Sequence, residues 1–226
     1  MEKENSLSDL YIKNVCRYFN DNKVLLALHK QYQEEMKCYT SDKFNVFKYI
    51  YLDEDFISDI IADILRPDGE HGQGFLFLDK LLSMIDLPPR HEITLVETQV
   101  RTRQHIKSLR KMDILIDWMD YGIMIENKPK ANDQPNQLIN YAEDLKNRYG
   151  KDKFKIIYLS GDGKFPSEGS IIKEQREKLE SSNQFYHFTY RIQFTKWINE
   201  CIYSSKSEKY KWYLNDFLNK LNNDYL

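Results

Sequence analysis

The strongest constraint on the fold is the apolar segment 112–128, which reads MDILIDWMDYGIMIENK. Its first half alternates as a strand does, with four apolar side chains on one face: Met112, Ile114, Ile116 and Trp118. Its second half, 121–128, predicts another strand, and Asp120-Tyr121-Gly122 favours a tight link between the two. The segment therefore predicts a β-hairpin within a sheet.

Segments with helical or β spacing flank this hairpin on both sides. Before it, the pattern predicts a helix at 54–65 with Asp53 as N-cap, a helix carrying Phe75 to Ile85, and a strand at 93–100. After it, the pattern predicts helix 134–149, strand 154–160, helix 170–181, strand 184–190, and helices 194–203 and 208–222. This order predicts an α/β fold with a mixed β-sheet flanked by helices.

The first 45 residues predict an N-terminal helical extension. Apolar residues at helical spacing indicate two helices, at 7–19 and 23–38, before the polar break Thr40-Ser41-Asp42. We expect the core to extend over 46–203 and a C-terminal helix to occupy 204–226.

Composition and spacing argue against several classes of protein. The 33 Lys and Arg residues nearly balance 35 Asp and Glu residues, which argues against a polybasic nucleic-acid-coating protein but allows a local basic groove. Cys16, Cys38 and Cys201 lie far apart, without the spacing of zinc ligands. No signal-peptide pattern and no apolar run of roughly 20 residues is found, which predicts a soluble, cytoplasmic protein with no membrane partner.

Charged residues stand at the outer ends of the two hairpin strands. Asp113 begins the first strand, while Glu126 and Lys128 end the second and share a face because they are two residues apart. Carboxylates held this close favour a bridging cation such as Mg²⁺, which prefers oxygen ligands. A lysine beside that ion can orient or help deprotonate a water, or hold a phosphate oxygen. This chemistry is that of metal-assisted phosphodiester hydrolysis.

Two further polar residues follow on the next predicted helix. Gln137 and Tyr141 are four residues apart, so they share one helical face that can lean over the same sheet edge. Taken singly, these features have ordinary structural explanations, with Glu-x-Lys as a solvated pair and Gln-x-x-x-Tyr as a helix boundary. Asp113 is harder to explain this way, because a lone buried carboxylate is costly.

In this order the residues resemble the PD-(D/E)XK nuclease superfamily, although Met112 stands where the name has proline. The motifs that carry the resemblance are Asp113 in MDILID, Glu126 and Lys128 in IENK, and Gln137 with Tyr141 in QLINY, which is similar to the QxxxY element of one branch. Further positions are similar to one bacterial group: Glu54, Ser58, Pro67, His71-Gly72, Phe75-Leu76, Glu97 and the loop GDGKFPSEG.

The resemblance implies a restriction-endonuclease-like core in which Asp113, Glu126 and the backbone carbonyl of Asn127 bind Mg²⁺, or Mn²⁺ in its place. It also implies that Lys128 is the catalytic lysine and that Glu54 is a further metal-binding or water-orienting carboxylate. The supporting residues that it implies are Gln137, Tyr141 and Glu97.

The linker between the first two predicted strands, 101–111, is basic and contains no acid. Its position directly before Asp113 favours contact with nucleic-acid phosphates over a solvated turn. The predicted contacts are Arg101, Arg103, Lys107, Arg110 and Lys111, with Lys130 extending the patch.

The sequence thus predicts a Mg²⁺-dependent deoxyribonuclease acting on double- or single-stranded DNA. Two alternatives stay open at this level. One is a catalytically silent nucleic-acid-binding or protein-interaction module on the same fold, and the other is a nuclease that acts on RNA. A homodimer is also left open.

Overall fold

The structure, a computed structural model, describes residues 2–41, 44–88, 99–102, 112–118, 121–130 and 133–225. The chain divides into two compact units, Met1–Asn45 and Val46–Leu226. Within the described residues no helix combines the length and the apolar character that crossing a membrane requires.

The first unit consists of one long helix, α1 (Glu2–Thr40). The prediction of two separate helices was wrong, because Asn20-Asp21-Asn22 continues the helix. Asn and Asp are weak helix formers but do not break a helix as proline does, and residues 1–40 contain neither glycine nor proline. The Asn22 side-chain amide donates to the Tyr18 carbonyl one turn earlier, at 2.9 Å.

The described part of the second unit combines a five-stranded sheet with α-helices. Its elements are α2 (Glu54–Leu65), α3 (Leu76–Ser83), β1 (Gln99–Thr102), β2 (Ile114–Trp118), β3 (Tyr121–Lys128), α4 (Gln137–Tyr149), β4 (Phe154–Ser160), α5 (Lys173–Ser181), β5 (Phe185–Thr189), α6 (Thr195–Ser204) and α7 (Glu208–Tyr225). A 3₁₀ turn (Val46–Tyr49) and a π-helical turn (Tyr190–Phe194) complete it.

The five strands lie in the order β1-β2-β3-β4-β5. The pairs β1–β2 and β2–β3 are antiparallel, whereas β3, β4 and β5 run parallel. The prediction of an α/β fold with a mixed sheet flanked by helices is therefore confirmed.

The sheet is covered on both faces, and the alternation of side chains along each strand decides which face each one joins. On the first face, Ile114 and Ile116 of β2 pack with residues of α2, α3, α6 and α7. On the second face, Leu115 packs with residues of α4. Met112, predicted on the face of Ile114, packs on the second face instead, since it lies before β2 and outside the strand's alternation.

The hairpin has a closed end and an open end, and the open end lies where the parallel strands finish. Trp118 pairs with Tyr121 at the closed end. At the open end, β3 finishes at Lys128, which pairs with Ser160, the last residue of β4. Asp113 directly precedes β2 and lies at this same edge. In open α/β sheets, the carboxyl ends of parallel strands are the usual place for a ligand site.

The predicted N-cap of α2 is also confirmed. Asp53 accepts a hydrogen bond from the Phe56 backbone N–H at 2.8 Å, and this cap fixes the position of Glu54, the first residue of the helix. Phe56, predicted on the apolar stripe, is exposed, while its neighbour Ile57 is fully buried.

Candidate active site

Three carboxylates converge on one ammonium group at the open end of the hairpin. Lys128 Nζ lies 2.7 Å from Glu126 Oε1, 2.8 Å from Glu54 Oε1 and 3.9 Å from Asp113 Oδ2. The four residues come from α2, the segment before β2, and the end of β3. Tertiary structure thus brings together the four residues predicted to carry the chemistry, which we call the acid cluster.

Asp113 is 1% exposed, and it accepts a hydrogen bond from the Asn127 backbone N–H through Oδ2 at 2.8 Å. The hairpin register explains this contact, because Ile114 pairs with Ile125 and places Asp113 beside the end of the β3 backbone. The bond ties the start of one strand to the end of the other. It holds the Asp113 carboxylate close to Glu126.

Glu126 is fully buried, and only part of its carboxylate is satisfied. Gln137 Nε2 donates to Oε1 at 2.6 Å, while Oε2 has no hydrogen-bond partner among the described residues. Burial, and then the Asp113 carboxylate, raise the pKa of Glu126 to about 8. Within the described residues, the Glu126 carboxylate is thus bonded through Oε1 alone, to Gln137 and Lys128.

Gln137 links the acid cluster to α4. Its Nε2 also lies within hydrogen-bond distance of the Tyr141 hydroxyl, at 3.2 Å, and its Oε1 accepts from the Gln134 backbone N–H at 3.2 Å. Burial, and then Glu126, raise the pKa of Tyr141 to about 12, so its hydroxyl stays protonated. The pair predicted from the QxxxY spacing thus orients Glu126 from one helical face.

Lys128 stays charged in this environment. Burial by itself would lower the pKa of the ammonium, but the carboxylates of Glu126 and Asp113 outweigh this effect and hold the pKa above its ordinary value. Lys128 is therefore a hydrogen-bond donor at neutral pH.

Asn127 points to the opposite face of β3, as strand alternation predicts. Its Nδ2 donates to Ser58 Oγ at 3.0 Å and approaches the Glu54 carbonyl at 3.3 Å, while its Oδ1 accepts from the Tyr190 hydroxyl at 2.6 Å. Ser58 Oγ donates to the same Glu54 carbonyl at 2.8 Å. These bonds attach the first turn of α2 to β3 and so position Glu54 beside Lys128.

Two parts of this arrangement were not predicted from the sequence. Tyr190 lies in a π-helical turn, for which no local pattern gives a signal. Gly161 donates from its backbone N–H to the Lys128 carbonyl at 2.9 Å, and a Cβ at this position would lie 2.1 Å from the Pro129 carbonyl oxygen. Only glycine allows this close approach beside Lys128. In the sequence, this close approach is indicated by Gly161 itself, the first glycine of the loop GDGKFPSEG.

The acid cluster fits a small, hard cation. Within the part of the chain that the structure describes, no group of three or more His, Cys, Asp and Glu residues forms a metal site by itself. Mg²⁺, however, binds through one or two carboxylates and takes its other ligands from water and phosphate. Asp113 and Glu126 supply two such carboxylates, and the unpartnered Glu126 Oε2 is a buried oxygen that a cation would satisfy.

Most of the predicted basic contacts fall outside the described residues. Arg103, Lys107, Arg110 and Lys111 lie outside the described residues, and so does Glu97, which was predicted as a supporting carboxylate. Of Arg101 the structure describes only the backbone, in β1.

Lys130 is described and exposed, two residues after Lys128, with its Nζ 4.5 Å from the centre of the Tyr225 ring. It therefore presents a positive charge close to the end of β3.

His71 lies in the turn after α2 and serves that turn. Its Nε2 lies 2.8 Å from the Arg66 carbonyl, and its Nδ1 accepts from the Gln73 backbone N–H at 3.0 Å. Both ring nitrogens are thus engaged by the backbone of the turn.

A family model described as the PD-(D/E)XK nuclease superfamily matches residues 44–219. The match spans most of the chain and includes the whole acid cluster and the five described strands. No curated protein and no solved structure shows significant similarity to the chain.

Proposed function

This chain belongs to the PD-(D/E)XK nuclease superfamily, and from that premise we propose that it is a Mg²⁺-dependent deoxyribonuclease of the cytoplasm. The observation that supports this most directly is the convergence of Glu54, Asp113 and Glu126 on Lys128. A module that only bound nucleic acid or protein would gain nothing from buried carboxylates held close together, since they repel one another and phosphates alike.

In this proposal Asp113, Glu126 and the Asn127 carbonyl would hold the metal. When bound, Mg²⁺ would polarise a phosphate oxygen and stabilise the negative charge that develops during hydrolysis of a phosphodiester. Gln137 keeps Glu126 Oε1 in place through its 2.6 Å hydrogen bond, which leaves Oε2 available to the ion.

Lys128 acts as a donor rather than as a base, because the surrounding carboxylates keep its ammonium protonated. From its position it can donate to the attacking water or to a non-bridging phosphate oxygen. Glu54 accepts from the same Nζ at 2.8 Å, so the ammonium stays within the acid cluster. The Glu54 carboxylate can also accept a proton from a water in the site. Lys130 and the basic segment 101–111 would contact neighbouring phosphates.

A cleavage assay tests the proposal. The purified full chain is incubated with linear duplex, circular and single-stranded DNA, and with RNA, in the presence of Mg²⁺, Mn²⁺ or a chelator. We expect DNA cleavage only with a divalent ion. Binding without cleavage would favour the silent module, and preferential cleavage of RNA would favour the alternative substrate.

The matched pair for this assay is Lys128→Met and Lys155→Met. Both lysines are 6% exposed and lie on neighbouring strands, but Lys155 donates to the Asn183 carbonyl and the Tyr186 hydroxyl, away from the acid cluster. We expect Lys128→Met to lose cleavage while remaining folded, and Lys155→Met to retain it per folded molecule. Equal activity of the two variants would contradict the proposal.

A further inference from the structure

One exposed aromatic ring lies on the edge of the sheet that carries the acid cluster. Phe165, in the 161–172 loop between β4 and α5, is 53% exposed. The covered part of its ring lies against His187, with ring centres 4.3 Å apart, and against the Arg176 guanidinium, 4.3 Å from the ring centre. The remaining surface faces solvent.

Hydrogen bonds on both sides of Phe165 fix the loop that carries it. The Asp133 carboxylate accepts from the Tyr158 hydroxyl at 3.0 Å and from the Ser167 backbone N–H at 2.6 Å. On the other side of Phe165, Asp162 accepts from the Lys164 backbone N–H at 3.0 Å. Pro166, next to the ring, is buried. An apolar ring fixed in an exposed position is prepared for a ligand, because little conformational entropy remains to be lost on binding.

Strand register places this ring close to the acid cluster. Glu126 pairs with Tyr158 on β4, and Tyr158 pairs with His187 on β5, so the three side chains form a row across the sheet. Neighbouring strands are about 4.8 Å apart, which puts His187 roughly 10 Å from Glu126. Phe165 packs against His187 at the end of this row.

We infer that Phe165 stacks on an unpaired nucleobase, so that the strand bound at the acid cluster is single-stranded DNA. The inference rests on the proposed function and specifies its substrate. Because Phe165 lies beyond His187 on this row, a base on its ring lies a few nucleotides from a phosphate held at Glu126. A base in a duplex has both faces covered by its neighbours, whereas an unpaired base offers a free face to an aromatic ring.

Binding is measured with Mg²⁺ in the full chain carrying Lys128→Met, which is expected to prevent cleavage during the titration and leaves the proposed metal ligands in place. The ligands are a fluorescent oligo-dT strand and a mixed-sequence duplex, and the readout is anisotropy. Phe165→Ala is compared with Phe165→Tyr, which keeps a ring, and with Trp212→Ala, which removes a ring of matching exposure (54%) from α7. Thermal unfolding of each variant confirms that the fold is retained.

We expect Phe165→Ala to weaken binding of the single strand about tenfold and to leave duplex binding unchanged. Phe165→Tyr and Trp212→Ala should both retain the original affinity. When the strand contains 2-aminopurine, stacking on Phe165 should quench its fluorescence, and the Phe165→Ala variant should lack this quenching.

Equal affinity of Phe165→Ala and Trp212→Ala for the single strand overturns the inference, as does an equal loss for strand and duplex. If either of these outcomes is found and the wild-type chain still cleaves DNA with Mg²⁺, the stacking inference fails and the proposed function stands. If the wild-type chain neither cleaves nor binds DNA, the proposed function fails first and the inference fails with it.

Discussion

The two ends of the β2–β3 hairpin each bury a carboxylate on the same face of the sheet, and they treat it differently. At the closed end, Asp117 Oδ2 accepts from Arg148 Nη2 of α4 at 2.5 Å. At the open end, Glu126 shares Lys128 with Glu54 and Asp113, and its Oε2 has no hydrogen-bond partner within the described residues. Among the described residues, the closed end thus pairs Asp117 with Arg148, while at the open end three carboxylates lie within 4 Å of the Lys128 ammonium.

The comparison separates a structural ion pair from a functional site. A buried carboxylate with a matching cation is compatible with stability, whereas carboxylates in excess of cations raise the free energy of the folded chain. Burial, and then the neighbouring Asp113 carboxylate, raise the pKa of Glu126. Perturbed groups of this kind are typical of sites whose charge is completed by a ligand.

The largest expected effect distinguishes the two ends by activity. Asp113→Asn removes a proposed metal ligand, so cleavage of DNA with Mg²⁺ should fall by at least about a hundredfold. Asp117→Asn neutralises a carboxylate at the closed end. Its rate of DNA cleavage per folded molecule should stay within about threefold of the wild-type rate. Initial rates, with circular dichroism to confirm folding, measure both. A comparable loss in the two variants would place the active site elsewhere.

The next effect concerns the metal and stability. Mg²⁺ at one hundred times its dissociation constant should increase the free energy of unfolding of the wild-type chain by about 2.7 kcal/mol. Glu126→Gln should abolish this response, and Asp117→Asn should preserve it. Denaturant unfolding with Mg²⁺ and with a chelator gives the difference. A wild-type curve that does not change with Mg²⁺ or Mn²⁺ would argue against a metal site at the open end.

Without metal, removing one charged group from each end should change the free energy of unfolding in opposite directions. Arg148→Met leaves Asp117 buried without its guanidinium and should lower the free energy of unfolding by about 2 kcal/mol, a value reduced because Arg148 is partly exposed. Glu126→Gln removes one of the carboxylates that lie close together at the open end. It should raise the free energy of unfolding by about 1 kcal/mol. Both are measured by urea unfolding at pH 7 in chelator. Destabilisation by Glu126→Gln would show that its carboxylate is structurally required.

The smallest expected effect is a pH dependence of the free energy of unfolding that arises from His187, near the open end. Burial lowers the pKa of His187 below its ordinary 6.5, and Arg176 adds to the shift. As the pH falls below 6.5, the unfolded chain binds a proton at this residue before the folded chain does, so the wild type loses stability. His187→Gln should lack this component, so the difference in stability between the two chains should change with pH below 6.5 and become constant above about pH 7. Unfolding titrations across roughly pH 5 to 8 test the sign, and a stability gain from His187 on acidification would reverse the assignment.

Local patterns in the sequence were sufficient for much of the fold. The hairpin and strand β4 follow from their strand patterns and turn residues, and α2 follows from its apolar stripe and the Asp53 cap. The long α1 does not follow in the same way, because its weak helix formers resemble a break between two helices. Sequence spacing also predicted that Asp113, Glu126 and Lys128 lie close together. In a hairpin, the start of the first strand and the end of the second lie at the same edge of the sheet.

The sequence by itself determined which residue types stand at the strand ends and that Glu126 and Lys128 share a face of β3, because alternation within a strand is a local property of the backbone. Only the tertiary structure decided that Glu54, more than seventy residues before Lys128, lies 2.8 Å from its ammonium. It also decided that Asn127 bridges α2 and Tyr190, and that Glu126 Oε2 has no hydrogen-bond partner in the described part of the chain. These features depend on helix packing against the sheet and on burial, which change pKa values and hydrogen-bond satisfaction without leaving a local pattern.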